Sequence, residues 1–218
     1  MDVQAVVLDF DGVIADTEPI HFGAFRQVLA GAGYALTLED YTDRYLGFDD
    51  DGAFRAVASD QGRPLTDERV AELLRRKSRL MDAALAADDV LFPGAAEAIR
   101  ALSSVLPLAI ASGALRAEIT DVLRRAGVLS AFRAIVAAGD TAAAKPAPDP
   151  YAKAVALLGV PPSRSVAVED SRWGLESARA AGLRTIAVAT SYPAHALAGA
   201  DLVVPDLASV TLERLARP

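Results

Sequence analysis

Two aspartates, Asp9 and Asp11, stand one residue apart in AVVLDFDGVIADTEPIH (residues 5–21), at the end of an apolar run and just before Gly12. Like charges at that spacing repel, and the edge of a hydrophobic core is a costly place to leave them unpaired. Their presence raises the question of what the rest of the chain supplies to balance them. Three more segments place polar side chains in equivalent positions. Ser112 ends LPLAIAS and is followed by Gly113, Lys145 sits in AAAKPAPDP, and Glu169 and Asp170 end SVAVED. Each alone reads as an ordinary polar strand end. Two acids, a hydroxyl, a cation and two further acids from four segments do not read that way together.

These residues can cooperate only if the fold brings them to one edge. AVVLDF (5–10) is continuous and β-branched, as a strand buried on both faces should be, and LPLAIAS (106–112), FRAIVAA (132–138), SVAVED (165–170) and RTIAVAT (184–190) are similar. DLVVPD (201–206) is a shorter sixth candidate. Helical patterns lie between them at 95–105, 116–127, 150–159 and 173–182, several closing on Gly127, Gly159 or Gly182 where a helix C-terminus favours glycine. The alternation predicts an α/β fold, a doubly wound, Rossmann-like parallel sheet with helices on both faces. In such sheets ligands bind outside the carboxyl ends of the strands, where the polar residues above fall.

Residues 16–89 break the alternation. HFGAFRQVLAGAG and DERVAELLRRKSRLMDAALAA have helical spacing, and no buried strand is evident. The stretch is too long for a loop, so the spacing predicts a small helical domain inserted after the first strand, with 1–15 and 90–218 forming the α/β core. The crossings near 14–17 and 88–93 would be the hinges.

Composition narrows the function. With 29 acidic and 22 basic residues the formal net charge is −7, which disfavours nonspecific nucleic-acid binding. An anionic substrate would need positive charge concentrated inside the site. Cysteine is absent, which removes disulfides, thiolate metal sites and cysteine nucleophiles and fits a reducing cytoplasm. Mean hydropathy is +0.26, no apolar run is long enough for a membrane span, and the N-terminus has no targeting pattern. The expectation is a cytoplasmic protein with no membrane partner.

Four motifs in order, DFDGVIADTEP, ASG, KPAPDPY and VEDSRWG, with an insertion after the first, resemble the haloacid dehalogenase-like hydrolases, in the subgroup of β-phosphoglucomutase and small sugar phosphatases. The resemblance covers essentially the whole chain. It implies that Asp9 is a nucleophile forming an aspartyl-phosphate, and that Asp11 is the general acid and base. It further implies Mg²⁺ held by Asp9, the Asp11 carbonyl and Asp170, with Glu169 as an added or supporting acid. Two aspartates with two roles would require surroundings that oppose ionisation at Asp11 while Asp9 stays charged. Relatives that cleave carbon–halogen bonds lack the second aspartate, which argues against dehalogenation.

By the same resemblance, Ser112 and the Gly113 N–H bind a phosphate oxygen at the mouth of the following helix, and Lys145 adds a point charge. A plain N-cap is the simpler role for Ser112, and a solvated loop position the simpler one for Lys145. Thr17, His21 and Lys77 match substrate-side positions of the inserted cap, although His21 could be a packing residue and Lys77 part of a solvated basic face, RRKSR. YLGFDDDGAF (45–54) departs from the family, with Asp50 standing where a mutase carries a phosphate-gripping arginine. Three consecutive acids there would repel a bisphosphate, with Arg55 one turn further along; their simpler reading is a solvated helix N-terminus.

The expected function is therefore a Mg²⁺-dependent phosphatase acting on a small phosphorylated metabolite, a sugar phosphate by resemblance, as a monomer or weak homodimer. A phosphosugar mutase is the first rival and a noncatalytic phosphate-ligand-binding protein the second.

Overall fold

A computed structural model describes residues 3–46, 48–87 and 90–216. The apolar runs form β1 (Ala5–Leu8), β2 (Leu108–Ala111), β3 (Phe132–Val136), β4 (Ser165–Glu169), β5 (Arg184–Val188) and β6 (Leu202–Val204). They make one parallel sheet in the order β3-β2-β1-β4-β5-β6. Every residue of β1, β2 and β4 is buried, as continuous apolar strands with a neighbour on each side must be. The edge strands β3 and β6 keep partial exposure because each lacks one neighbour. The order reverses direction beside β1, and the crevice at that reversal is where doubly wound sheets bind ligands.

The chain divides into two compact units, Met1–Asp16 with Val90–Pro218, and Thr17–Asp89. The second is built from α1 (Glu18–Gly31), a single turn α2 (Leu38–Asp40) running into a wider turn at Tyr41–Tyr45, α3 (Asp50–Asp60) and α4 (Asp67–Ala87). It has its own core, in which Phe25, Val28, Leu29, Phe54, Val57 and Leu73 are buried together, and the Phe25 and Phe54 rings meet edge-on at 5.0 Å. Asp49 caps α3 by accepting the Gly52 N–H at 2.8 Å.

In the sheet unit, α5 (Ala95–Ser103), α6 (Arg116–Arg125), α7 (Asp149–Leu158), α8 (Arg172–Ala180) and α9 (Leu212–Ala216) alternate with the strands. Val7, Ala109, Ala111 and Ala167 of the sheet form one buried cluster with Tyr151, Ala154 and Val155 of α7 and Ala178 of α8. Alanine at the sheet positions allows close helix approach. Asp16 donates its N–H to Val90 O at 2.7 Å, and Phe92 donates to Ile14 O at 3.1 Å, so the two chain crossings run side by side. Residues 88 and 89 of the expected second hinge lie outside the described residues. Among the described residues, no helix is long and apolar enough to cross a membrane.

Candidate active site

The register explains why the polar residues converge. Leu8 pairs with Ile110 on one side and with Val168 on the other. The next residues out are Asp9 on β1, Ala111 and then Ser112 on β2, and Glu169 and Asp170 on β4. The Asp9 N–H donates to Val168 O at 3.0 Å, which locks the aspartate beside the acidic end of β4. Lys145 comes from the long connection between β3 and α7. Its ammonium lies 2.8 Å from Asp9 Oδ2 and 2.5 Å from Glu169 Oε1, so it is no solvated loop lysine.

Glu169 is 0% exposed and accepts hydrogen bonds at both oxygens. Oε1 takes Lys145 Nζ and, at 2.9 Å, the Tyr151 hydroxyl. Oε2 takes the Asp170 N–H at 3.1 Å, the Ser171 N–H at 3.2 Å and the Ser171 hydroxyl at 3.0 Å. Ser171 in turn caps α8 by accepting the Gly174 N–H at 3.1 Å. With five donors on its carboxylate, Glu169 acts as a structural hub of the site.

The carboxylates of Asp9, Glu169 and Asp170 each offer an oxygen within 4.8 Å of the others, a donor set suited to a hard cation. Charge supports the same conclusion. Burial foremost, and then the Glu169 carboxylate, push Asp9 well above the usual carboxylate range, against the pull of Lys145. Burial would also raise Glu169, but Lys145 and its other donors hold it below that range. Burial alone would lower the Lys145 ammonium; Asp9 and Glu169 outweigh it and hold it up. One ammonium is insufficient for three clustered acids, so the residues present fit a divalent cation. Opposition to ionisation thus acts on Asp9, which is 8% exposed, while Asp11 is half-buried on the loop beyond the strand.

Ser112 is buried, but the reading of it as an N-cap is corrected. Helix α6 begins at Arg116, where Glu118 reaches back to the Leu115 N–H at 3.2 Å. Ser112 Oγ instead accepts the Ala114 N–H at 3.0 Å, closing a tight turn that leaves Gly113 exposed, three residues before the first helical residue, Arg116.

The helical unit carries a separate polar cluster. Lys77 is 1% exposed and donates to both oxygens of Asp50, at 2.7 and 2.8 Å, with His21 Nδ1 at 2.9 Å and the Phe25 ring centroid at 4.2 Å. It therefore does not belong to the solvated face expected from RRKSR. The repulsion expected from the acidic run is also corrected. Asp49 caps a helix, Asp50 neutralises Lys77, and Asp51 binds Arg55 at 2.6 Å, while Arg55 also binds Asp67 at 2.8 Å. Each acid is spent inside its own unit. Burial and then the Lys77 charge lower His21 to about 3, so its ring is neutral. Thr17 is buried at the start of α1.

Sequence reasoning passed over several participants. Tyr151, Ser171 and Gly174 lie inside the motifs KPAPDPY and VEDSRWG, and no charge marked them. Gly12 has φ +72°, and a Cβ there would fall 2.0 Å from Asp170 Oδ2. Thr190, whose hydroxyl donates to Gly12 O, ends the apolar run of β5 and would have been found by extending the search for strand-end polar residues.

The family model of the haloacid dehalogenase-like hydrolases matches residues 3–182. Protein CbbY of Rhodobacter capsulatus is 34% identical over 225 residues, spanning 99% of this chain and 98% of its own. Beta-phosphoglucomutase of Bacillus subtilis is 30% identical, spanning 98% and 94%. A crystal structure of a CbbY mutant from Rhodobacter sphaeroides in complex with xylulose-(1,5)bisphosphate superposes with a TM-score of 0.87 at 28% identity, covering 98% of this chain and 99% of that one. A family-model match over residues 3–182, relatives at 34% and 30% identity spanning nearly the whole chain and a superposition over 98% of it leave one conclusion: this protein is an enzyme of the haloacid dehalogenase-like hydrolase family.

Proposed function

We propose that the protein is a Mg²⁺-dependent phosphatase that hydrolyses a small phosphomonoester, a sugar phosphate, through an aspartyl-phosphate on Asp9. The observation that carries this reading is the Asp9–Lys145 pair at 2.8 Å beside the half-buried Asp11. Asp9 attacks phosphorus while Asp11 protonates the departing alkoxide. Asp11 then takes a proton from water, which attacks the aspartyl-phosphate and returns Asp9 with release of inorganic phosphate. Lys145, the Ser112 hydroxyl and the Gly113 N–H bind the phosphoryl oxygens. Asp9, Asp170 and the Asp11 carbonyl would hold Mg²⁺, with Glu169 behind them, and the ion would supply the positive charge that lets a dianionic phosphate approach a carboxylate.

The helical unit serves as a cap that excludes water and sets specificity, with Thr17 and His21 as substrate contacts and Lys77 joining them only by exchanging its Asp50 partner. Binding of phosphorylated sugars by relatives supports a sugar phosphate. Pairing of Lys77 with Asp50 favours hydrolysis over the mutase reading, because its charge is already neutralised before a second phosphate arrives. The protein works as a cytoplasmic monomer or weak homodimer on small metabolites, with neither nucleic acid nor membrane as partner.

The test is inorganic phosphate release from hexose 1- and 6-phosphates, pentose phosphates, glycolate phosphate and a nucleotide with Mg²⁺. Release abolished by EDTA and by Asp9→Asn, and reduced about 10²- to 10⁴-fold by Asp11→Asn, is the expected result. Interconversion of glucose 1- and 6-phosphates without release would favour the mutase. Ligand binding that survives Asp11→Asn, with no turnover in the unmodified protein, would favour a binding protein.

A further inference from the structure

We propose that Tyr151 is a positioning residue for phosphoryl transfer, its hydroxyl and ring together holding the Lys145 ammonium against Asp9. The inference rests on the phosphatase reading and adds a residue to it. A lysine on a loop has four rotatable side-chain bonds, and fixing them costs rotamer entropy, so a well-placed ammonium needs several restraints. Lys145 has two carboxylate partners, and Tyr151 acts on the second of them. The Tyr151 hydroxyl donates to Glu169 Oε1 at 2.9 Å, the same oxygen that Lys145 reaches at 2.5 Å. Oε2 is held by the 170–171 backbone and Ser171, so the tyrosine completes the orientation of the carboxylate.

The ring supplies the other restraint. Its centroid lies 5.2 Å from Lys145 Nζ, within cation–π reach, so an aromatic face borders the ammonium as well. Tyr151 is itself immobile. It is 0% exposed in the first turn of α7 and packs in the cluster of Val7, Ala109, Ala111, Ala154 and Ala167 against the sheet. The tyrosine thus ties the Lys145 loop, the β4 end and α7 to one point. It does not touch the transferring phosphoryl in this scheme; it acts through Lys145.

Two variants separate its parts. Tyr151→Phe removes the hydroxyl and keeps the ring, and Tyr151→Leu removes both. Steady-state kinetics of phosphate release should show kcat falling roughly ten- to a hundredfold in Tyr151→Phe and further in Tyr151→Leu, with KM changed less than about threefold. Crystal structures of the unmodified protein and Tyr151→Phe should show Lys145 Nζ drawn away from Asp9. A fall in Tm with kcat unchanged would overturn the proposal, as would a Lys145–Asp9 distance unchanged in the variant. If Tyr151→Leu does not fold, Tyr151→Phe decides alone. Absence of phosphate release from the unmodified protein would defeat the phosphatase reading by itself, and the paired crystal structures would still decide whether Tyr151 positions Lys145.

Discussion

Glu169 lies against the bare Cα of Gly174, so closely that a Cβ added to the glycine would fall 1.8 Å from Glu169 Oε1. The carboxylate cannot simply swing aside, because five donors hold it. Gly174 is therefore a glycine for reasons of space, inside a helix where alanine would otherwise be favoured by about 0.5–1 kcal/mol.

Gly174→Ala should lower stability by about 1–3 kcal/mol, as overpacking does, and reduce phosphate release at least tenfold by displacing Glu169 and with it Lys145. Gly23→Ala, inside α1 with nothing within 4 Å of the added Cβ, is the control and should be neutral or stabilising. Urea midpoints of the two variants make the comparison. Equal midpoints would contradict the packing argument.

Removal of Asp50 leaves the Lys77 ammonium buried without its carboxylate. Asp50→Ala should cost on the order of 2 kcal/mol, less than for a fully buried pair because Asp50 is 45% exposed. Lys77→Met removes the buried charge and keeps much of the volume, leaving an aspartate that water can solvate. It should cost about 1 kcal/mol or less. The diagnostic is the order of the two unfolding free energies, and a Lys77→Met variant less stable than Asp50→Ala would refute it.

His21 should make the protein acid-sensitive. Its folded pKa of about 3 lies below the unfolded value of 6.5, so between these limits the unfolded chain binds the extra proton. The neutral ring contributes its full stability above about pH 6.5 and loses it progressively as pH falls toward 3. Protonation would also set an imidazolium against Lys77, with Asp50, among the described residues, the one carboxylate hydrogen-bonded to that lysine. Unfolding free energies at pH 7 and pH 4.5 should differ less in His21→Gln than in the unmodified protein. An identical pH dependence in both would remove His21 as the cause.

Divalent ions should separate binding from turnover. Ca²⁺ and Mg²⁺ should both raise Tm, since each neutralises the acids around Asp9. Ca²⁺ should support little phosphate release, because its larger and looser coordination misplaces the phosphate relative to Asp9. EDTA should abolish release, and added Mg²⁺ should restore it. Equal rates in the two metals would sink the argument.

The strands were legible because each is a short, continuous apolar run, a pattern that local composition carries by itself. Asp9, Ser112, Glu169 and Asp170 were legible for a related reason: they are where those runs turn polar. Lys145 was legible only from its motif, since a loop lysine has no periodicity to mark it. Tyr151 and Gly174 were hidden because an uncharged tyrosine and a helical glycine look alike whether they fill space or serve a site. Asp50 was misjudged because its partner lies 27 residues away on another helix.

By itself, then, the order of apolar runs and polar ends determined a doubly wound sheet with acids and a hydroxyl along one edge, because backbone periodicity and strand polarity are local properties. Tertiary structure alone decided which charges are neutralised and which remain. It set Lys145 between Asp9 and Glu169, placed Tyr151 on the same Glu169 oxygen, and spent Asp50 on Lys77. The energy of a charge depends on its distance to other charges and its depth from water, and both exist only once the chain has folded.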